Sequence, residues 1–354
     1  MSFRESVAGR HQAAWDVELS APGRSTIELV TQVSIVVVSY NAETYLERCL
    51  SVIANREDEV IVVDSGSMDG SRELVRDRYS GVRLIELDEN RGYGAAVNEG
   101  LRVASGRYLL VLNCDAWPVD DAIARLAAFA EDNPSVGVVG PRLLNPDGTL
   151  QRSVRGYPTL WRLATEYFFL RWLAPRSRLL NAFYGANFDH GSIREAEFLV
   201  GAVLLVPRNV AEKLGGFDTS FFMFNEEVDL CYRIRQEGQQ VVFFPEAEFV
   251  HVGGAYTRTD WPRMYREQLR SHLRFLAKHY GPRTSERGRK LLLWAMRLRW
   301  VVFSLVLRPE RARISRDAAR WLGSANAASL LASRDGQPKS DRSGEDRITD
   351  EAAS

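Results

Sequence analysis

Three acids in four positions, Glu226, Glu227 and Asp229, follow the aromatic run Phe221-Phe222-Met223-Phe224. Acids in a first helical turn usually just offset the helix dipole. That explains one or two of them, less readily a cluster. Like charges and apolar neighbours push a carboxylate toward the range of a general base. A second constellation, Asn113-Cys114-Asp115, puts a carboxylate directly after the apolar run Tyr108–Asn113. A hard cation such as Mg²⁺ or Mn²⁺ takes oxygen ligands and often carries substrate phosphates on one or two carboxylates. The plain alternative makes Asp115 the cap of a helix starting near Pro118. His251 ends a further apolar run before Gly253-Gly254 and suits a structural or a ligand role about equally.

Three other loops are polar and close to strand-like runs: Ser39-Tyr40-Asn41-Ala42-Glu43, Asp64 to Ser71, and Asp88 to Gly94. In the second, Asp and Gly make turns and Ser71 is placed to cap the next helix. In the third, Gly92 and Gly94 would let backbone amides approach a phosphate. The dinucleotide fingerprint GxGxxG is missing after the first run, and no GxxxxGK[ST] occurs, which argues against a P-loop nucleoside triphosphatase.

These loops need a scaffold. Ser34–Ser39, Glu59–Asp64, Val82–Leu87, Tyr108–Asn113 and Val136–Gly140 are short β-branched runs, as in strands buried on both faces. Helical stretches separate them: Glu43–Ala54, Ser71–Tyr79, Tyr93–Ala104 and Asp120–Asp132. Strand–helix alternation predicts a parallel sheet with right-handed crossovers, whose ligands bind beyond the carboxyl ends of the strands. Arg142 to Glu197 reads as irregular and aromatic-rich. Then come a strand (Phe198–Val206), helices at Arg208–Leu214 and Glu227–Glu237, a strand (Gln240–Phe244), and helix from Asp260 onward.

The chain has 354 residues, 45% apolar and 26% charged, with no net charge, so nothing global points to nucleic acid. Residues 256–325, however, hold 17 Lys+Arg against 5 Asp+Glu. A solvated helix face would explain this, but apolar blocks interrupt the run, which favours contact with an anionic membrane. The most apolar block, Leu291–Leu307, contains Arg297 and Arg299 and is short for a spanning helix, so an interfacial or core helix is expected. Cys49, Cys114 and Cys231 are scattered, without CxxC pairing, and fit a reducing cytoplasm. The expected division is an N-terminal extension (1–30), a catalytic domain (31–255), a basic helical region (256–325) and a disordered tail (326–354).

Together the motifs resemble glycosyltransferase family 2, with the GT-A fold. The family pattern is matched by Ser39-Tyr40-Asn41, Asp64 to Ser71, Asn90-Arg91-Gly92-Tyr93-Gly94 through Asn98, Asn113-Cys114-Asp115, and Glu226-Glu227-Val228-Asp229. Gly140 to Gly148 and Gly216-Phe217-Asp218 are similar to bacterial rhamnosyltransferases of cell-wall and O-antigen assembly. Asn113 replaces the first Asp of the family's DXD motif, so metal binding rests on Asp115 and His251. The family's Glu-Asp pair is Glu226-Glu227 here.

The resemblance implies an inverting, metal-dependent transferase. Asp64 accepts from N3–H of a uracil or thymine base, and Asn41 and Glu43 help hold the nucleoside. Ser39, Tyr40, Gly66, Asp69, Asn90, Gly92, Gly94, Asn98 and Asn113 complete the donor site. Asp115 binds Mg²⁺ or Mn²⁺ and Glu227 is the base, with Glu226 and Asp229 in the same catalytic cluster. The donor is a nucleotide-diphosphate sugar, with dTDP-rhamnose ahead of a UDP-hexose, and the acceptor a glycan or a polyprenyl-diphosphate-linked sugar. That places the protein in the cytoplasm, peripheral at the inner face of the plasma membrane. A sugar nucleotidyltransferase should carry a Gly-rich first loop with Arg and Lys, which Ser39–Glu43 lacks. A catalytically silent sugar- or lipid-binding protein is opposed by the retained acids.

Overall fold

The computed structural model describes residues 33–184, 188–254 and 260–332. The N-terminal extension and the tail beyond residue 332 lie outside them. The first half alternates as the sequence predicts: β1 (Val33–Ser39), α1 (Glu43–Ile53), β2 (Glu59–Asp64), α2 (Ser71–Arg78), β3 (Arg83–Glu86), α3 (Tyr93–Val103), β4 (Tyr108–Asn113), β5 (Ala116–Pro118), α4 (Ala122–Asp132) and β6 (Val136–Leu144). Two short strands follow, β7 (Leu150–Gln151) and β8 (Val154–Arg155), then helices α5 (Leu160–Tyr167) and α6 (Leu170–Leu173). The stretch read as irregular is therefore partly ordered. β9 (Arg194–Glu195), β10 (Phe198–Leu199), β11 (Val203–Pro207), α7 (Arg208–Leu214), α8 (Glu226–Gln236) and β12 (Gln240–His251) complete the sheet region.

The main sheet runs β3-β2-β1-β4-β11-β6-β12-β5, with β7 beside β6 and β9 beside β12. β3, β2, β1 and β4 are parallel, as is β12 with β6. β11 is antiparallel to both its neighbours, β4 and β6. The expected single strand Phe198–Val206 is two, since Gly201 and Ala202 turn the chain between β10 and β11. Both faces of the sheet are covered. Along β1, Ile35 and Val37 face one apolar cluster while Val36 and Val38 face another, the alternation of a pleated strand.

Four helices follow: α9 (Trp261–Tyr280), α10 (Pro282–Leu305), α11 (Pro309–Gly323) and α12 (Ala327–Ala332). Prolines open α10 and α11, where the missing N–H costs nothing. With α5 these helices share a third core containing Leu163, Leu269, Leu292, Met296 and Leu322. Each such side chain contributes about 1.5–3 kcal/mol on burial. Helix α12 falls where the sequence pattern suggested a disordered tail. Its Leu330 packs into that core, and the Ala327 amide donates to Glu286, 3.0 Å away.

Candidate active site

The site lies at the carboxyl ends of β1, β2 and β4, where an α/β sheet offers its crevice. The loops after β1 and β2 are laced together. Asn41 sits at φ 49, in the left-handed region, so that its amide donates to Ser67 Oγ at 2.9 Å and its Oδ1 accepts from the Met68 amide at 2.8 Å. Asp69 accepts from the amides of Glu43 (3.0 Å) and Ser71 (3.1 Å). Burial alone would raise its carboxyl, but these bonds hold it below the usual range. The resemblance puts Asp69 at the donor; here both its oxygens accept from backbone and tie the two loops together. Ser71 does not cap α2 with its side chain, since Gly70 holds the cap position. Glu43 stays exposed at the rim.

Asp64 ends β2 fully buried. Its Oδ1 accepts from the Ser67 amide at 2.9 Å and from Arg72 Nε at 2.6 Å, while Oδ2 has no hydrogen-bond partner. The hydroxyls of Ser39 and Ser65, also buried, are equally unpartnered. Buried polar atoms without partners are rare, and three together at strand ends mark a place where a polar ligand belongs. Beside them, a cavity of about 220 Å³ is lined by Tyr40, Asn41, Ser65, Asn90, Gly92 and Tyr93. Phe222 and Met223 close it on one side, and Asp260 and Arg263 at the start of α9 on another. The α9 contribution had no sequence signal, because α9 starts far from the motif loops.

The Gly92 loop does not work as the sequence suggested. The Gly92 amide donates to Asn90 Oδ1 (2.9 Å) and the Tyr93 amide to Phe222 O (2.9 Å), so neither is held out for a phosphate. Gly92, at φ 99, is needed for close approach: a Cβ there would stand 2.8 Å from Phe222 Cα. At Gly94 a Cβ would meet that of Phe217 at 3.0 Å. Asn98 grips Phe217 through both backbone groups, at 2.8 Å each. Asn90, Gly92, Gly94 and Asn98 thus anchor α3 to the segment leading into the acids.

That segment reaches α8 through two left-handed residues, Phe224 (φ 68) and Asn225 (φ 65). From α9, His272 Nδ1 bonds Asn225 Nδ2 at 2.9 Å and Ser271 Oγ donates to Met223 O at 2.8 Å. The three acids have different surroundings. Asp229, expected in the catalytic cluster, is held by three basic side chains: Oδ2 accepts from Arg233 (2.7 Å), and Oδ1 from Lys278 (2.6 Å) and His279 (2.7 Å). Burial opposes these partners, yet they hold its carboxyl low. Glu226 and Glu227 have no such cations. Each carries an Oε2 without a hydrogen-bond partner. Burial, and then Glu227 beside it, raises Glu226 well above the carboxylate range. Burial also raises Glu227, but backbone amides of the helix start and Arg155 pull the other way. Glu226 is therefore the more strongly raised of the two, and Glu227 is the partly exposed member of the pair.

Asp115 is followed by β5, and α4 begins only at Ala122, so Asp115 caps no helix. His251 Nε2 lies 3.4 Å from Asp115 Oδ1 and 3.5 Å from Asn113 Nδ2. Its other nitrogen, Nδ1, is 2.6 Å from Gln151 Oε1. The Gln151 amide nitrogen faces two acceptors, Asn145 Oδ1 (3.1 Å) and His251 O (3.3 Å), which fixes the amide orientation. Nδ1 must then carry a hydrogen, and in the neutral ring the Nε2 lone pair faces Asp115. A carboxylate and an imidazole lone pair side by side fit a divalent cation that takes its remaining ligands from water and a diphosphate. Among the described residues no group of three or more His, Cys, Asp or Glu forms a complete cage. Tyr93 joins the two halves of the site. Burial raises its hydroxyl well above the usual range, then Glu226 and Glu227, then Cys114 and Asp115. Tyr93, Gln151 and Arg155 were not singled out from sequence, because they meet the acids only through long-range folding.

Residues 34–187 match the family described as "Glycosyl transferase family 2". Over 307 residues the chain is 31% identical to N-acetylglucosaminyl-diphospho-decaprenol L-rhamnosyltransferase of Mycobacterium tuberculosis, covering 81% of this chain and 96% of that protein. A mannosyltransferase from Pyrobaculum calidifontis, solved with GDP-Man and Mn²⁺, shares the fold at a TM-score of 0.50 and 20% identity, over 91% of this chain and 82% of that one. GalNAc-T7, solved with UDP, GalNAc and Mn²⁺, does so at 0.53 and 16%, over 88% and 60%. Both neighbours have the GT-A architecture expected from the motifs. A relative matched over nearly its whole length, and a sheet that brings the motifs to one crevice, make this chain a member of glycosyltransferase family 2.

Proposed function

We propose that this glycosyltransferase is an inverting, divalent-cation-dependent enzyme that moves L-rhamnose from dTDP-rhamnose to a polyprenyl-diphosphate-linked sugar. One observation carries the chemistry: two buried carboxyls side by side, Glu226 raised the further by burial and Glu227 the partly exposed one, each with an Oε2 that has no hydrogen-bond partner. The sugar and acceptor rest on the likeness to the mycobacterial rhamnosyltransferase.

Glu227 takes the proton of the acceptor hydroxyl, whose oxygen attacks the anomeric carbon from the face opposite the leaving diphosphate. General-base help of this kind is worth ~10²–10⁴-fold. Glu226, kept neutral, adds no competing charge. Ser39, Ser65 and Asp64 Oδ2 are the buried polar atoms that await the nucleoside, and Tyr40 and Asn41 line the cavity beside them. Asp115 and His251 would hold Mg²⁺ or Mn²⁺, which when bound neutralises charge building on the departing nucleoside diphosphate. A lipid-linked acceptor sets this work in the cytoplasm, at the inner face of the plasma membrane.

The test is transfer from dTDP-rhamnose, with UDP-hexoses in parallel, to an N-acetylglucosaminyl-diphospho-polyprenol with Mn²⁺ present. Transfer from dTDP-rhamnose alone supports the reading. Transfer only from a UDP-hexose keeps the mechanism and replaces the sugar, and a product with retained anomeric configuration overturns the mechanism.

A further inference from the structure

Helix α10 carries two apolar stripes on different faces. One, with Leu292, Ala295 and Met296, is buried in the C-terminal core. The other, Trp294, Leu298, Val301 and Leu305, recurs at the spacing of a single helix face. It is exposed along its whole length, at 61%, 39%, 51% and 77%. A solvent-facing stripe of this kind is not explained by folding. It continues past the helix end into Val306 and Leu307, 56% and 85% exposed. Leu307 sits at φ 54, a left-handed conformation that a leucine adopts only under constraint, and that displays an apolar side chain to solvent.

A second segment extends the same surface. Helix α6 exposes Trp172 (66%) and Leu173 (77%), and it follows another left-handed apolar residue, Phe169 (φ 63). The Phe169 and Phe303 rings meet edge to face at 5.9 Å, which ties the start of α6 to the last turn of α10. Arg299 locks the joint, stacked over Phe169 at 4.6 Å and donating to Tyr167 O at 3.3 Å. The patch is predominantly basic, with Glu166 at its edge, where it pairs with Arg171 at 2.8 Å. Residues 170–179 contain three Arg and no acid, and residues 291–308 likewise contain three Arg and no acid.

We propose that α6 and the second half of α10 form one docking surface for the headgroup boundary of an anionic bilayer, with α10 lying in the membrane plane. Tryptophan and arginine are amphipathic and suit that boundary, and arginine is drawn to anionic lipid. No described helix is long and apolar enough to cross a membrane. A second copy of this chain is a poorer occupant, because a two-fold contact would set arginine against arginine.

Sedimentation of the full chain with phosphatidylcholine vesicles, with and without phosphatidylglycerol, tests this. Binding should need phosphatidylglycerol and weaken as salt rises. The double variants Leu305→Ser/Leu307→Ser and Trp172→Ser/Leu173→Ser should each lower the bound fraction roughly tenfold or more. Their melting temperatures and transfer to a detergent-free acceptor analogue should not change, since all four side chains are exposed. Unaltered vesicle binding by both variants overturns the surface. So does a full chain that ignores anionic vesicles, or one that dimerises in solution and becomes monomeric when the patch is altered. Vesicle binding needs no sugar donor, so its failure leaves the rhamnosyl reading untouched, and the reverse holds too.

Discussion

Gln151 Oε1 lies 2.6 Å from His251 Nδ1, although the two residues are 100 positions apart in the chain. The contact exists because β7 pairs with β6, which itself runs parallel to β12, the strand that ends in His251. Gln151 thereby accepts from Nδ1 and leaves Nε2 facing Asp115.

If that orientation matters, Gln151→Ala should raise the Mn²⁺ concentration for half-maximal activity about 10–100-fold, as partners behind metal ligands do. Asp115→Asn and His251→Ala should have larger effects, and Mn²⁺ binding measured by calorimetry should fall in the same order. Full activity of the wild type in EDTA would exclude a metal role for the pair.

Asp229 supports a prediction about the fold rather than the reaction. Asp229→Asn leaves Arg233, Lys278 and His279 without their shared carboxylate, a loss of about 3 kcal/mol for a broken buried pair. Its carboxyl is held low, so its contribution is present above the unfolded carboxylate value, about 3.9, and is lost as pH falls through the folded value. Asp218, held down to about 2 with Lys278 as a partner, behaves alike. Thermal melting of Asp229→Asn should therefore approach that of the wild type as pH drops below about 4.

The scaffold could be read from sequence because β1, β2 and β4 are unbroken β-branched runs, and α1, α2 and α3 start directly after polar turn residues. The antiparallel β11 was not legible, since a run of apolar residues has no direction. Asp115, His251 and the Glu226-Glu227 pair stood out in the sequence because each stands at an element boundary beside a distinctive neighbour. Asp229 looked the same on paper as Glu227. Only the arrival of Lys278 and His279 from α9 separates their surroundings, and nothing local encodes that. The same holds for Asn98, whose partner Phe217 is 119 residues away.

Gly92 and Gly81 make a matched pair of glycines. At Gly92 a Cβ would stand 2.8 Å from Phe222 Cα in a backbone that disfavours side chains, whereas at Gly81 it would meet nothing within 4 Å. Gly92→Ala should force the Phe222 segment away from α3, lower the melting temperature and cut kcat at least tenfold by moving the acids. Gly81→Ala should behave as the wild type in both assays.

Glu226 and Glu227 give opposite predictions from adjacent positions. Glu227→Gln should lower kcat by ~10²–10⁴-fold while nucleoside-diphosphate affinity stays near normal, because only the base is lost. Arg155→Gln withdraws a cation that favours the charged form of Glu227. The acidic limb of the kcat/KM profile should then move to higher pH, because the base needs less acid to be protonated. Glu226→Gln should do little to the chemistry if that side chain is already neutral, but it should change stability. The folded value of Glu226 is raised above the unfolded one, about 4.3. Its favourable contribution is therefore complete below pH ~4 and is lost as pH rises through the folded value. Removing the titration should make Glu226→Gln melt higher than the wild type at pH 8, with the difference shrinking toward pH 5. A variant that melts lower at pH 8 would mean that Glu226 is charged and has a partner there, and the assignment of proton and charge within the pair would have to be reversed.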